Sequence, residues 1–250
     1  MDLSPEMRVK PYKKDFTYSY TEGVFPTIEL INYAPETAVR VIVSGRGKDN
    51  SGVALLKEKC CALNIHFTID DQTIQRISPK GSVMAIGIFE KKVRELDRTR
   101  SHVVFVNPAD MGNIGTIIRT AASFDLPDIA IIEPAADYYD PKAIRASMGA
   151  FFRVRVHAYP TFEAYRKDAG EREFYPFMLK GRALENPKNL PQVDALKPRS
   201  LIFGNESRGL EDCFLDVGTP LRIEHLDTVD SLNLTIAAGI AMHWHYNLFR

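Results

Sequence analysis

The chain has 250 residues, 45% hydrophobic and 26% charged, a balance that suits a soluble globular protein with length for one large or two small domains. Lys+Arg and Asp+Glu cancel at 32 each, so an extensive basic face is excluded and any nucleic-acid contact has to be local. No apolar run approaches the ~20 residues of a membrane helix; the start has no secretory character, and three cysteines, two of them adjacent, suit a reducing cytoplasm better than a disulfide framework or a zinc site.

Residues 1–25 interleave Tyr12, Phe16, Tyr18 and Tyr20 with charges. They read as an arm that packs its aromatics on the body or, alternatively, as an RNA-stacking segment. From Thr27 the apolar pattern predicts a short helix ending near Ala34-Pro35, since the residue before proline resists the helical region. A strand over Val39–Val43 follows, then a helix from Ser51 to Leu63, a strand over Ile65–Ile69, a short helix from Asp71 to Ile77 and a strand over Val83–Phe89. This alternation over 26–97 makes a small α/β domain. Its polar loop, Ser44–Ser51, offers Arg46, Lys48 and Asn50 as RNA contacts or as a solvated turn. The charge-dense run from Lys91 to Arg100 reads as the connection to a second domain over 98–250.

That second domain opens with a buried strand, His102–Val106. After a loop, Ile114, Ile117, Ile118 and Ala121 fall on one helical stripe, with Asn113 as the expected cap and Arg119 off the stripe. Ile129–Ile132 is the next strand, Lys142–Ser147 a short helix and Phe152–His157 a strand. Around them Lys142, Arg145, Arg153 and Arg155 make the best local candidate for a phosphate-binding patch. Thr161–Lys167 reads as helix, Phe174–Leu179 as strand, 181–198 as loop and Ser200–Phe203 as a buried strand ending at Gly204. A short apolar run around Leu221–Ile223 and a final helix from about Leu232, capped by Ser231 or Asp230, complete the chain.

Three stretches carry the functional signal: Asn113-x-Gly115-x-x-x-Arg119-Thr120-Ala121, Phe203-Gly204-Asn205-Glu206-x-x-Gly209-Leu210, and Ser231-Leu232-Asn233. In this order and spacing they resemble the motifs of the SPOUT methyltransferases, specifically the SpoU/TrmH family of RNA ribose 2′-O-methyltransferases. Arg145-Ala146-Ser147-x-Gly149-Ala150-x-Phe152-Arg153-Val154 is also similar to the family. The departures are mild: Thr235 stands where serine is common, and Ala109-Asp110-Met111 lengthen the first loop. There is no Gly-x-Gly-x-x-Gly, no phosphate loop and no Gly-x-Ser-x-Gly elbow, so nucleotide hydrolysis and nucleophilic hydrolysis find no support.

The resemblance implies an α/β trefoil-knot domain behind a smaller α/β substrate-binding domain. S-adenosylmethionine is then the expected cofactor, held near Phe203, Gly204, Asn205, Gly209, Ile223 and Leu232, with no metal required. It also implies that Arg119 acts at the acceptor ribose and that Asn113, Glu206, Ser231 and Asn233 position it. RNA is the expected partner: ribosomal RNA of the large subunit before transfer RNA, because of the preceding small domain and the lack of a long basic C-terminal tail. A catalytically silent RNA-binding protein on the same fold is the alternative. The final helix is expected in a homodimer interface, through Ala238, Met242 and Trp244, with an intramolecular core role as the other option.

Overall fold

The computed structural model describes residues 4–79, 83–184, 197–226 and 228–248. In chain order these hold β1 (Tyr18–Tyr20), α1 (Val24–Tyr33), β2 (Ala38–Val43), α2 (Ser51–Ala62), β3 (His66–Ile69), α3 (Asp71–Ile77) and β4 (Ala85–Glu90). There follow β5 (His102–Val106), α4 (Met111–Ser123), β6 (Asp128–Ile132), α5 (Pro141–Ala146), β7 (Arg155–Tyr159) and α6 (Phe162–Ala169). The last elements are β8 (Glu173–Ala183), β9 (Arg199–Phe203), β10 (Leu221–Arg222) and α7 (Leu234–Leu248). Contacts divide the chain into two units, Met1–Lys92 with Asp137–Arg153, and Val93–Ala136 with Val154–Arg250. The division differs from the sequence boundary at 97/98. The charged run from Lys91 contains Leu96, which is buried in the core of the second unit, and 137–153 joins the first unit.

The first unit is a four-stranded sheet in the order β1-β4-β2-β3, antiparallel except for the parallel pair β2/β3. The aromatics of the N-terminal stretch are used in packing. Tyr18 and Tyr20 are buried on β1, and their phenolic oxygens accept from the backbone N–H groups of Lys10 and Tyr12 at 3.3 and 3.0 Å. Tyr12 in turn donates its hydroxyl to the Asp137 carboxylate. The stretch expected as a strand from Phe152 is a 3-10 turn over Ala150–Arg153 followed by β7. Its Phe151 and Phe152 rings pack on Phe89, at 6.2 and 5.1 Å between centroids, so they leave the strand pattern to fill this core. Gly149 sits at φ +82°, where a Cβ would lie 2.7 Å from that of Glu29. The family-like Ser147-x-Gly149 stretch is therefore a docking device: a turn that closes on α1 only without a side chain.

The second unit is a six-stranded, all-parallel sheet in the order β10-β8-β9-β5-β6-β7. Strands buried on both faces need continuous apolar runs, which Val103–Phe105, Ile129–Ile132 and Leu201–Phe203 supply. Ala130, Ile132, Val104 and Ile202 meet Tyr159, Phe162 and Tyr165 in one core cluster. Elsewhere α4 and α7 pack together, and α7 also contacts β9. The expected loop 181–198 begins later than its sequence suggests, because β8 runs on to Ala183; 185–196 lie outside the described residues. Among the described residues no helix is long and apolar enough to cross a membrane.

Polar groups gather where the parallel strands begin. Arg199 is 2% exposed and donates from Nε to Glu173 at 3.1 Å across the β8/β9 pair. Asp128 is fully buried and takes two 2.6 Å hydrogen bonds from Arg155, a residue the sequence offered for phosphate. His102 shares hydrogen bonds with the Tyr165 hydroxyl at 3.0 Å and the Asp97 carbonyl at 2.9 Å. His245 meets the Ser101 hydroxyl at 3.2 Å. Burial, reinforced by the charge of Arg172, pushes the His102 imidazole down to about 4. Burial and then Arg199 do the same to His245. The folded chain thus prefers both rings neutral, and their contribution is complete above the ordinary histidine value near 6.5 and is lost as pH falls towards 4. Each is expected to cost roughly 3 kcal/mol of stability by about pH 4. In a histidine NMR titration, two of the six rings should stay neutral to near pH 4. Titration of all six near 6.5 would contradict this account.

Candidate functional site

The site begins with a change of partners along β8. Its residues Glu173–Pro176 pair with β9, and Arg182 and Ala183 pair with β10. Phe177 to Lys180 lie between the two ladders, and there a cleft of about 470 Å³ opens, a size common for small-molecule sites. At its far side β8 and β10 come so close that a Cβ on Gly181 would lie 2.6 Å from the Leu221 carbonyl carbon. β9 delivers Phe203 to the wall, with its ring stacked on Phe177 at 4.8 Å and on Phe105 at 5.4 Å.

After Phe203 the chain turns over Gly204–Leu210. Asn205 and Gly209 exchange backbone hydrogen bonds, at 3.2 and 2.9 Å. The Asn205 carbonyl oxygen Oδ1 accepts from the backbone N–H groups of Ser207 and Arg208, and its Nδ2 donates to the Asn107 carbonyl at 2.8 Å. Gly209 has φ +68°, the left-handed conformation that closes the turn. At Gly204 a Cβ would fall 2.1 Å from the Gly209 carbonyl carbon, so the turn folds back directly over this residue.

Glu206, at the tip of that turn, reaches the start of α4. Its carboxylate accepts from the backbone N–H of Ala109 at 3.0 Å, from that of Asp110 at 3.2 Å and from Asn113 Nδ2 at 3.1 Å. Burial raises its pKa, but these hydrogen bonds outweigh it and hold the carboxyl below the usual range. The cap of α4 is Asp110, whose side chain accepts from the Asn113 N–H at 2.8 Å, and not Asn113 as the sequence suggests. Asn113 lies within the first turn and spends its amide on Glu206. The extra Ala109-Asp110 of the lengthened loop thus provide two donors and a cap, which sequence spacing did not reveal.

The third motif stretch forms the opposite lip. α7 starts at Leu234, with Asn233 in the capping position: its Oδ1 accepts from the N–H and hydroxyl of Thr235 at 2.9 and 2.6 Å, and its carbonyl accepts from Ala237 N–H at 2.9 Å. Ser231 and Asp230, the expected caps, instead line the cleft. All six residues expected to hold the cofactor, Phe203, Gly204, Asn205, Gly209, Ile223 and Leu232, line it as well, as do Glu206 and Ser231. Phe177–Lys180 were missed by sequence reasoning; Pro176 inside a buried strand was the available signal, since proline in a central strand marks an interrupted ladder. Arg119 is exposed on α4, with no partner for its guanidinium among the described residues. Among the described residues no cluster of three or more His, Cys, Asp or Glu is arranged to hold a metal.

Ala238 and Met242 are fully buried within the chain, and Trp244 is 7% exposed with its ring edge-on to Tyr175 at 5.9 Å. The core role holds for these three, and Ile236 and Ile240 are the apolar residues that α7 leaves exposed. In the first unit, Arg46 and Lys48 are exposed on the Ser44–Ser51 loop, while Asn50 Oδ1 caps α2. Lys142 is exposed; Arg145 faces Glu22 at 3.5 Å, and Arg153 is bound to Glu29 at 2.6 Å and lies 4.1 Å over the Tyr33 ring.

Comparison with known proteins places this geometry. The family model "SpoU rRNA Methylase family" matches residues 100–243. A 23S rRNA (uridine(2479)-2'-O)-methyltransferase from Streptomyces viridochromogenes is 29% identical over 174 residues, covering 63% of this chain and 58% of that one. A 23S rRNA (guanosine(2553)-2'-O)-methyltransferase from Bacillus subtilis is 28% identical over 137 residues, 54% of this chain and 53% of that one. The chain thus spans little more than half the length of these two relatives. The crystal structure of the SpoU methyltransferase AviRb from Streptomyces viridochromogenes with the cofactor AdoMet aligns with a TM-score of 0.75 at 21% identity, covering 92% of this chain and 90% of that one. Its parallel sheet has the α/β knot architecture expected from the motifs. With its second and third motif stretches lining one cleft and the first tied to them through Asn113 and Glu206, and with the family model matching more than half of its length, the chain belongs to the SpoU rRNA methylase family.

Proposed function

We propose that this protein transfers the methyl group of S-adenosylmethionine to a ribose 2′-hydroxyl of RNA, in ribosomal RNA of the large subunit, acting as a cytoplasmic homodimer through the knot domain. The observation that carries the reading is the Glu206 bridge, which joins the β9 turn to the start of α4 beside a cleft of cofactor size. The residues present fit the cofactor. Phe177, Phe203, Ile223 and Leu232 give apolar walls for an adenine, and the turn that closes over Gly204 offers backbone groups at the cleft. S-adenosylmethionine supplies an electrophilic methyl on a sulfonium, so the protein has only to align the acceptor oxygen and let its proton go.

With S-adenosylmethionine bound, the methyl would pass from its sulfonium sulfur to the ribose 2′-oxygen, whose proton would leave to solvent. Glu206 is a poor base for it, because three hydrogen bonds occupy its carboxylate and hold it ionised. Arg119, with a pKa above ~12, is no base either. Its role is to clamp the phosphate and ribose of the acceptor, while Asn113, Ser231 and Asn233 keep the lips of the cleft in place. On the first unit, the exposed Arg46, Lys48 and Lys142 offer cations for RNA, as do Arg145 and Arg153, which also pair with Glu22 and Glu29.

Calorimetric titration with S-adenosylmethionine, followed by mapping of methylated riboses on total RNA, tests the reading. Saturable binding and a single labelled ribose are expected. Arg119→Lys keeps the charge but loses the planar fork, and is expected to lower kcat/KM for RNA on the order of 10²-fold with cofactor binding intact. A folded protein that neither binds the cofactor nor labels RNA would leave the silent RNA-binding alternative.

A further inference from the structure

Among the described residues three lysine and arginine side chains line the cleft, and two of them are already matched. Lys180 makes two 2.7 Å contacts with the Asp212 carboxylate. Arg222 faces Glu224 at 3.9 Å. Arg208 is different: it is exposed, it lines the cleft, and among the described residues its guanidinium has neither a hydrogen-bond acceptor nor a carboxylate. Its backbone is nevertheless tightly fixed. The Arg208 N–H donates to Asn205 Oδ1 at 3.3 Å, Asn205 is itself tied to the Asn107 carbonyl, and Gly209 closes the turn behind it. A cation on a rigid turn, without a partner, two residues beyond Glu206, is an anion receptor held ready.

We propose that Arg208 binds a backbone phosphate of the RNA next to the acceptor ribose, and so sets how the RNA strand enters the cleft. The inference rests on the methyl-transfer reading given above. Two kinds of oxyanion can reach this position, an RNA phosphate or the carboxylate of the cofactor's methionine moiety, and a guanidinium fork suits either. The phosphate is favoured by placement. The residue sits at the exposed rim and not on the apolar wall formed by Phe177, Phe203 and Leu232. With no net charge on the chain to gather RNA, single unpaired cations beside the reacting ribose carry more of the positioning than a diffuse field does.

The test compares wild type, Arg208→Ala and Arg208→Lys in two measurements. One is calorimetric titration with S-adenosylmethionine alone; the other is steady-state methylation of total ribosomal RNA at several salt concentrations. Arg208→Ala is expected to raise the KM for RNA roughly tenfold with kcat little changed, and to reduce the salt slope of RNA affinity by about one phosphate contact. Arg208→Lys should restore the salt slope but only part of the KM, and cofactor affinity should stay within about twofold in both. Weakened cofactor binding with an unchanged RNA KM would overturn the proposal in favour of the cofactor carboxylate. An unchanged KM and salt slope would overturn it in favour of a solvated side chain. If wild type itself neither binds the cofactor nor methylates RNA, the methyl-transfer reading fails first, and this inference with it.

Discussion

Replacing Gly204 by alanine is expected to weaken cofactor binding by about two orders of magnitude or more while leaving most of the fold in place. The added Cβ would lie 2.1 Å from the Gly209 carbonyl carbon, 2.2 Å from its oxygen and 2.3 Å from the Leu210 nitrogen. These are backbone atoms in a turn closed by the Asn205–Gly209 hydrogen bonds, so no flexible side chain can move aside. Room for the methyl is made only by opening the turn, at the cost of two backbone hydrogen bonds worth about 1 kcal/mol each and of overpacking strain of about 1–3 kcal/mol. That sum, about 3–5 kcal/mol, corresponds to a loss of affinity for S-adenosylmethionine of about 10²- to 10⁴-fold. Gly209→Ala is the control. It lies at φ +68° with nothing within 4 Å, so it should cost only the left-handed strain of roughly 1–2 kcal/mol. Calorimetry and thermal melts of the two variants separate the effects, and equal losses would refute the steric argument.

Glu206→Gln is expected to lower methylation on the order of 10²-fold, with a smaller loss in cofactor affinity. Three donors converge on the carboxylate: the Ala109 and Asp110 N–H groups and Asn113 Nδ2. A glutamine presents one oxygen and an amide that turns its own donors towards them, so at least one charge-assisted hydrogen bond worth ~1.5–3 kcal/mol is lost. The side chain is only partly buried, which keeps the expected effect at the lower end in stability. The functional effect is larger because the bridge sets the distance between the cleft and the helix bearing Arg119. Single-turnover rates should fall with Asn113→Ala too, and the double variant should be less than additive. Full additivity would mean that the two residues do not act as one bridge. Because the folded pKa of Glu206 is depressed, the bridge is complete above the ordinary glutamate range and is lost as pH falls below it.

Most of the element order was legible in the residues. Continuous apolar runs at His102–Val106, Ile129–Ile132 and Ser200–Phe203 read as buried strands, the stripe of Ile114, Ile117, Ile118 and Ala121 reads as a helix, and each forms as read. The family resemblance of the second and third motif stretches pointed to two walls of the cleft, the Gly204–Leu210 turn and Ser231–Leu232, while the first stretch lies on α4 and joins them through Glu206. Charge, by contrast, misled. Arg155 and Arg153 look like phosphate contacts in the chain but pair with Asp128 and Glu29, residues distant in sequence. For Ala238, Met242 and Trp244 the resemblance implied an interface, with core as the alternative, and the three are buried within the chain.

What the amino-acid order determined, then, were the local matters: strand, helix, turn and the residue types each demands. Tertiary structure alone decided three others. It chose Asp110 over Asn113 as the cap of α4, which freed Asn113 for Glu206. It drew 137–153 into the first unit, where Gly149 lets the turn close on α1. It split the partners of β8 between β9 and β10, which opened the cleft at Phe177–Lys180. The physical reason is common to all three. A hydrogen-bond donor, a glycine or a strand edge can be satisfied by many partners, and only packing of distant segments selects one of them.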